Sequence, residues 1–333
     1  MTSKIALLLL VAWLQTAMGQ TTPSPALLVL SKAGHTLAIV DPSSLKVVAR
    51  MPSGPDPHEV IASSDGKFAY ISNYGGGTYN TISIVDLIAQ KALPAVDLGA
   101  LRGPHGLDFR GGKVWFTAEP NKVIGSYDPV EKKVDWVLGT GQDTTHMIFV
   151  FEDLKRMVTS NIRSATMTFI EKRAGNPQRG SPQGDWEETV IAVGRGAEGF
   201  DVSPDGKEIW AANAQDGTVS IIEVASKKVT QTLSANVHGA NRLKFTPDGK
   251  LVFVSTLGGP DLTILDAATR KEAKRLKIGR GAAGILMQPD GARAYVACTP
   301  DDYVVVVDLK TLEVTNHIDA GKQPDGLAWA ASH

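Results

Sequence analysis

The sequence repeats itself seven times, and the period of that repeat restricts the fold more than any other feature. Each copy is a pair of mostly apolar residues followed by an acid, and consecutive acids lie 45, 42, 43, 52, 43 and 42 residues apart. The seven acids are Asp41, Asp86, Asp128, Glu171, Glu223, Asp266 and Asp308. A period in the low forties is the length of one propeller blade. The repeat therefore predicts an all-β fold, a seven-bladed β-propeller with four antiparallel strands in each blade.

Short turns containing Asp-Gly form a second repeated element. They occur at residues 64–67, 204–207, 247–250 and 289–291, and an apolar run with β-rich composition follows each of them. Glycine tolerates the positive φ of a tight turn, so this pattern predicts a hairpin. We expect each of these turns to join the innermost strand of a blade to its second strand.

The two ends of the chain are predicted to complete one blade together. Only two candidate strands, 27–30 and 36–40, precede Asp41. The innermost strand of this blade and the Asp-Gly turn that should follow it are missing from this part of the sequence. The missing pattern occurs instead at residues 323–329. We expect this C-terminal segment to be the innermost strand of blade one, which closes the ring and removes the strand edges that an open ring would expose.

The first 19 residues have the pattern of a signal peptide. An apolar run at residues 5–14 is too short to span a bilayer as a helix, and Ala17 and Gly19 occupy the small-residue positions of a cleavage site. We therefore expect residues 20–333 to form a single propeller domain. It should be secreted or periplasmic, with no membrane insertion after the signal peptide is removed.

Composition narrows the classes of partner. The chain carries 34 Lys and Arg against 35 Asp and Glu, so it lacks the basic field that nucleic-acid binding requires. Its single cysteine, Cys298, excludes an intrachain disulfide, a thiolate zinc cluster and a CxxCH haem attachment site. We expect a monomer whose partners are small molecules or proteins rather than nucleic acids.

The repeated strands resemble those of known families. Residues 70–73, Tyr-Ile-Ser-Asn, and the Pro-Asp-Gly turns are similar to the YVTN family of secreted and periplasmic β-propellers, over nearly all of residues 26–331. This resemblance implies the fold but little about activity, because most members have no assigned function. Blade three, with Gly-Pro-His-Gly-Leu at 103–107 and Trp-Phe-Thr-Ala-Glu at 115–119, is also similar to repeats of the virginiamycin B (streptogramin) lyases.

One position of the inner strand carries polar residues in six consecutive blades. It lies seven residues before the turn aspartate or its equivalent, except in blade three, where the turn is one residue shorter and the Pro-His-Gly sequence aligns His105. We name it the mouth position because the chain enters the inner strand there, beside the channel opening. From blade one to blade seven it holds Asp325, His58, His105, His146, Glu198, Asn241 and Ala283. Equivalent repeat positions recur around the propeller axis, so the spacing predicts that these side chains surround one opening.

Imidazoles and carboxylates that converge from separate strands suit a divalent metal ion or general acid–base chemistry. The metal ligands predicted on this basis are His58, His105, His146 and Glu198, and the candidate catalytic residues are His105, His146 and Glu198. The same face supplies candidate ligand-binding residues, which are Asp325, Asn241, Asn73, Glu119 and Arg163. Apart from a divalent metal ion, no cofactor is expected.

The leading hypothesis from the sequence is a protein that binds a ligand at the top mouth of the central channel. A metal-dependent lyase or lactonase is the first alternative, and the blade that resembles the streptogramin lyases supports it. A protein-interaction platform is the second alternative. In a simpler interpretation, the polar side chains at the mouth position only form hydrogen bonds to loop backbone.

Overall fold

A computed structural model of the chain describes residues 21–175 and 184–331; the expected signal peptide lies outside these residues. Seven sheets of four antiparallel strands form a ring, so the predicted fold class is confirmed. In the described parts of the chain, helical structure is limited to short 3₁₀ turns such as Gly75–Gly77, Glu119–Asn121 and Thr299–Asp301. Within the described residues, no helix has the length and apolar character needed to cross a membrane.

The strands of each blade succeed one another from the central channel to the outer rim. Blade one contains β28 (Pro324–Ala330), β1 (Ala26–Ser31), β2 (Thr36–Asp41) and β3 (Lys46–Pro52). Blade two contains β4 (Pro57–Ala62), β5 (Phe68–Asn73), β6 (Thr81–Asp86) and β7 (Lys91–Asp97). Blade three contains β8 (Pro104–Arg110), β9 (Lys113–Ala118), β10 (Val123–Asp128) and β11 (Lys133–Gly139). Blade four contains β12 (Thr145–Val150), β13 (Arg156–Asn161), β14 (Thr166–Lys172) and β15 (Trp186–Ala192).

The last three blades follow the same order. Blade five contains β16 (Ala197–Val202), β17 (Glu208–Asn213), β18 (Thr218–Glu223) and β19 (Lys228–Ser234). Blade six contains β20 (Ala240–Phe245), β21 (Leu251–Thr256), β22 (Asp261–Asp266) and β23 (Lys271–Lys277). Blade seven contains β24 (Ala282–Met287), β25 (Arg293–Cys298), β26 (Tyr303–Asp308) and β27 (Glu313–Ile318).

The C-terminal strand closes the ring as the sequence predicts. β28 pairs antiparallel with β1, with Leu27 opposite Trp329 and Val29 opposite Leu327. Blade one is therefore built from both ends of the described chain, and β1 has a hydrogen-bonded neighbour on each side. This pairing removes two strand edges that would otherwise be open to association.

The two repeated sequence elements occupy turns. The Asp-Gly turns have their glycines at positive φ, for example 67° at Gly66 and 74° at Gly291. Most acids of the longer repeat cap the turn that follows the third strand: the carboxylate of Asp86 accepts the backbone N–H groups of Ile88 and Ala89. These turns fix the register of each blade, and the register in turn determines which residue of the inner strand stands at the mouth position.

The core of the protein lies between blades rather than inside them. In one cluster, Leu28 and Ile39 of blade one pack against Val60 and Ile71 of blade two, and all four side chains are buried. Each sheet therefore buries an apolar face against its neighbour, which holds the inner strands together around the central channel.

Candidate functional site

The seven mouth residues line one cavity of about 410 Å³ at the opening of the channel. Each is the second residue of the inner strand of its blade. The structure therefore brings together the following side chains: Asp325, His58, His105, His146, Glu198, Asn241 and Ala283. Only Ala283 among them carries no polar group, so the cavity has one apolar position in an otherwise polar ring.

Adjacent inner strands approach closely just below the mouth position, and glycine makes this approach sterically feasible. A Cβ atom at Gly106 would lie 2.5 Å from the carbonyl oxygen of His146, which is shorter than any tolerated contact. The glycines that share this position are Gly106, Gly199, Gly284 and Gly326. The side chains at the same level in the other blades are Glu59, Met147 and Arg242.

Hydroxyl groups of the second strands fix the backbone of the mouth residues. Thr117 accepts the N–H of Gly106 at 2.9 Å and donates to the carbonyl oxygen of His146 on the next blade at 2.8 Å. Ser160 and Ser255 bridge their own blades to the next ones in the same way. The positions of the mouth side chains therefore depend on hydrogen bonds between blades, which favours a rigid site.

Three buried groups converge on one side of the cavity. His105, Glu119 and His146 each offer one ligand atom, and these atoms all lie within 4.8 Å of one another. The two imidazoles come from neighbouring mouth positions, with ring centroids 3.9 Å apart, and Glu119 begins the 3₁₀ turn after β9. Two imidazoles and a carboxylate are a donor set typical of zinc and related divalent ions. These three residues could therefore hold a metal ion.

Glu119 also determines the orientation of His146. Its Oε1 accepts a hydrogen bond from Nδ1 of His146, and its Oε2 accepts one from the hydroxyl of Tyr74 at 2.5 Å. In the tautomer with the proton on Nδ1, His146 donates to this carboxylate and keeps a free lone pair on Nε2. With this hydrogen bond formed, Glu119 is the supporting carboxylate behind the imidazole of His146, and the metal ligands of the cluster are the two histidines.

Two buried imidazole nitrogens have no hydrogen-bond partner among the described residues: Nδ1 of His105 and Nε2 of His146. Nε2 of His146 lies 3.9 Å from Oε1 of Glu198, and that oxygen accepts the side-chain amide of Asn241 at 2.7 Å. A buried polar atom without a partner is unfavourable. A cation that these nitrogens coordinate would satisfy both of them.

Burial keeps the imidazoles of His58 and His105 uncharged at neutral pH. It lowers the pKa of His58 to about 4, with the charge of Lys32 acting in the same direction. Burial also lowers the pKa of His105 well below its ordinary value of 6.5. An uncharged imidazole is the form that coordinates a metal ion or accepts a proton.

The pKa of Asp325 is shifted in the opposite direction, upward rather than downward. Burial raises its pKa from 3.8 to about 6, although Lys32, whose Nζ lies 3.3 Å from Oδ2, favours the charged form. At neutral pH this carboxylate is therefore charged beside Lys32, at the side of the cavity next to His58.

An ion pair forms the floor of the cavity. Nη2 of Arg242 on blade six donates to the carboxylate of Glu59 on blade two, and Nη1 donates to the carbonyl oxygen of Asn241 at 3.0 Å. Arg242 lines both this cavity and a second one of about 360 Å³ further along the channel. Arg242 therefore lies where the two cavities adjoin.

The predicted metal ligands have different positions. His105 and His146 belong to the buried cluster, and Glu198 faces His146. His58 stands beside them, with its ring centroid 5.1 Å from that of His105, but its Nε2 lies 3.3 Å from Asp56. Glu119, which the sequence assigned to ligand binding, joins the cluster in place of His58.

Asn241 and Asp325 line the cavity, whereas two other predicted ligand-binding residues lie elsewhere. The amide of Asn73 donates to Thr81 at 2.9 Å and to Ser83 at 2.8 Å, within its own blade. It therefore stabilises the connection between the second and third strands. Arg163 is an exposed side chain of the loop after β13, outside the residues that line the cavity.

Sequence reasoning missed Lys32, Glu59 and Arg242. One signal was available for the last two, because they occupy the position that is glycine in four other blades. A charged residue at a position otherwise restricted to glycine indicates a specific partner inside the channel. Lys32 lies in the turn after β1 and had no comparable signal.

No protein-family model matches this chain, and no curated protein matches it. Solved structures share the fold. A candidate 6-phosphogluconolactonase from Bacteroides uniformis is 16% identical, with a TM-score of 0.74 over 92% of this chain and 99% of that chain. Hydrazine synthase of Kuenenia stuttgartiensis is 20% identical, with a TM-score of 0.66 over 82% of this chain and 89% of that chain. The dihydro-heme d1 dehydrogenase NirN in complex with DHE is 16% identical, with a TM-score of 0.62 over 91% of this chain and 74% of that chain.

These likenesses establish the propeller fold and leave the activity open. The resemblance of the repeats to the YVTN family has no family-model match to support it and stays a prediction.

Proposed function

We propose that the protein binds a divalent metal ion at the mouth of its central channel and uses that ion to hold a small ligand. The observation that carries this proposal is the pair of unpartnered imidazole nitrogens on His105 and His146, buried beside the carboxylate of Glu119. Burial favours the uncharged form of His105, and Glu119 favours the coordinating tautomer of His146. The ion would leave coordination positions open toward the cavity.

The charges of the cavity support a cation. Three carboxylates line it, from Glu119, Glu198 and Asp325, against the two cations Lys32 and Arg242. Arg242 is already neutralised by Glu59 beneath the cavity. Uncompensated negative charge in a partly buried site is unfavourable, and a divalent cation would offset it.

Elemental analysis of the purified protein, followed by titration of the chelator-treated protein with Zn²⁺, Mn²⁺ and Cu²⁺, tests the proposal. We expect one equivalent of metal, which His105→Ala and His146→Ala abolish. Glu119→Gln should weaken binding about 10- to 100-fold, the usual effect of removing the carboxylate behind a metal-binding histidine. His238→Ala, which removes an exposed imidazole outside the cavity, is the matched control. Equal metal content in all variants, or none in the native protein, would contradict the proposal.

Hydrolysis of a lactone is a second candidate function. Nε2 of His146 is unprotonated and has Glu119 and Tyr74 behind it, which suits a general base. His146 would take a proton from water as the water oxygen bonds to the ester carbonyl carbon, and would return it to the ring oxygen as the C–O bond breaks. The likeness to a candidate 6-phosphogluconolactonase adds support for this chemistry.

A panel of lactones that includes 6-phosphoglucono-δ-lactone tests this second candidate. Activity that is lost in His146→Gln and retained in His238→Gln would establish it. Metal binding without turnover of any lactone would leave the protein a metal-dependent binding protein.

Export is part of the same proposal. The mature chain would begin near Gln20 and act outside the cytoplasm as a monomer, with a small molecule or a protein on the face of the mouth. N-terminal sequencing and size-exclusion chromatography of protein from the native host test these points. A mature N-terminus at Met1 would overturn the export proposal.

A further inference from the structure

The wall of the cavity opposite the metal cluster is apolar. The ring has seven blades, so a point between blades three and four, where His105 and His146 stand, faces blade seven. Blade seven contributes Ala283 at its mouth position, and Gly281 and Pro300 also line this side. Leu257, from the loop of blade six, extends the wall and is half-exposed.

These residues form a continuous surface. A Cβ atom placed on Gly281 would lie 2.6 Å from Cδ of Pro300 and 3.8 Å from the carbonyl oxygen of Leu257. A larger side chain than alanine at position 283 would project into the cavity, as the six polar mouth residues do. The wall is therefore a recess between Asn241 on one side and Asp325 on the other.

Polar groups along this wall are already engaged. The hydroxyl of Thr299 donates to the carbonyl oxygen of Pro324 at 2.7 Å, and the carbonyl oxygen of Ala283 accepts the hydroxyl of Ser255 at 2.7 Å. The carbonyl oxygen of Gly281 accepts the N–H of Thr299 at 3.2 Å. A polar group of a ligand placed against this wall would lose water without gaining a partner, whereas an alkyl group would gain from burial.

We infer that the ligand is a small amphiphilic molecule, with a metal-coordinating group at one end and a short alkyl chain at the other. The coordinating end faces His105 and His146, and the chain lies in the recess over Ala283, against Pro300 and Leu257. This inference rests on the proposed metal site, because the coordinating end has no other anchor.

Alkyl hydroxamates of increasing length, from acetohydroxamate to hexanohydroxamate, test the inference on the Co²⁺-loaded protein. Their dissociation constants are measured from the visible spectrum of the bound Co²⁺. We expect affinity to rise about fourfold for each methylene that enters the recess, as burial of a CH₂ group gives. Ala283→Leu fills the recess, so it should remove the dependence on chain length while Co²⁺ affinity stays unchanged. Ala89→Leu, at an exposed turn, is the matched control.

Leu257→Ser provides a second variant that does not disturb the core, because this side chain is half-exposed. It should weaken binding of the longer hydroxamates and leave acetohydroxamate unaffected. Affinity that is independent of chain length in the wild type, or a dependence that survives both variants, would overturn the inference and leave the metal site standing. A wild-type protein that binds no Co²⁺ would overturn both proposals.

Discussion

Nδ1 of His58 lies 3.8 Å from Oδ2 of Asp325, so blades one and two place two titratable groups with opposite pKa shifts side by side. Burial lowers the pKa of His58 from 6.5 to about 4 and raises that of Asp325 from 3.8 to about 6. Over the same range of pH, the two groups therefore act on the stability of the fold in opposite directions.

The direction of each effect follows from proton binding. As pH falls from 6.5 toward about 4, the unfolded chain binds a proton at His58 that the folded protein does not, so acid lowers the free energy of unfolding. Between about pH 6 and pH 3.8, the folded protein binds a proton at Asp325 that the unfolded chain does not. Acid therefore raises the free energy of unfolding through this group. The two contributions partly cancel in the wild type.

Asp325→Asn should remove this compensation. Between about pH 7.5 and about pH 4.5, we expect the variant to lose about 2 kcal/mol more of its free energy of unfolding than the wild type does. Urea unfolding at the two pH values, with a chelator present, measures the difference. Glu313→Gln, an exposed change on β27, is the control. Parallel pH dependence in the wild type and Asp325→Asn would contradict the assignment.

Replacing one member of the buried ion pair between Arg242 and Glu59 should lower the free energy of unfolding more than replacing both. Arg242→Met leaves the carboxylate of Glu59 without its cation, which should lower the free energy of unfolding by about 3–5 kcal/mol. Adding Glu59→Met should recover most of that loss, because two apolar side chains then replace the pair. Chemical denaturation of the wild type, the single variant and the double variant measures these differences. Arg195→Met, which breaks an exposed pair with Asp216, should change the free energy by less than about 1 kcal/mol.

A single methyl group should disturb both the fold and the metal site. Gly106→Ala places a Cβ atom 2.5 Å from the carbonyl oxygen of His146, so the two inner strands must separate. We expect a loss of about 1–3 kcal/mol in free energy of unfolding, together with weaker metal binding. Gly139→Ala is the matched control, because nothing lies within 4 Å of its Cβ position. Similar stability and metal affinity in the two variants would show that the strands tolerate the change.

Because β28 closes the ring, a peptide with its sequence should restore the stability of a truncated protein that lacks this strand. Deletion of residues 323–333 removes β28 and leaves the inner edge of β1 open, so the truncated protein should unfold at lower temperature and associate. A synthetic peptide of residues 322–331 should restore the thermal midpoint by occupying the vacant edge. Thermal unfolding and light scattering measure both effects. An unchanged midpoint in the truncated protein would contradict the role of β28.

The ring and its mouth were predictable because both follow from periodicity. One blade cannot bury its apolar faces alone, so the same pattern of strands and turns recurs, and the turn sets the register of the inner strand. Counting back from the turn therefore located His58 and His146 at equivalent positions, and the Pro-His-Gly sequence of blade three located His105. The chain segment that completes blade one was found in the same way, by the absence of its pattern near the N-terminus.

The composition of the site was less predictable, because it depends on contacts between residues with no fixed spacing. Glu119 reaches the histidines from a loop, and the loops differ from blade to blade. Arg242 and Glu59 are 183 residues apart and meet across the channel, so no local pattern pairs them. Asn73 differs from these residues: the sequence places it among the ligand-binding residues, but its amide nitrogen donates to Thr81 and Ser83 within blade two, and it is not among the residues that line the cavity.

The bridge between Arg242 and Glu59 joins blade six to blade two across the channel. Arg242 lines both cavities, so a molecule that moves from one to the other must pass a buried ion pair. Separating that pair would leave a buried charge without its partner, so displacement of this side chain by a passing molecule would lower the stability of the fold.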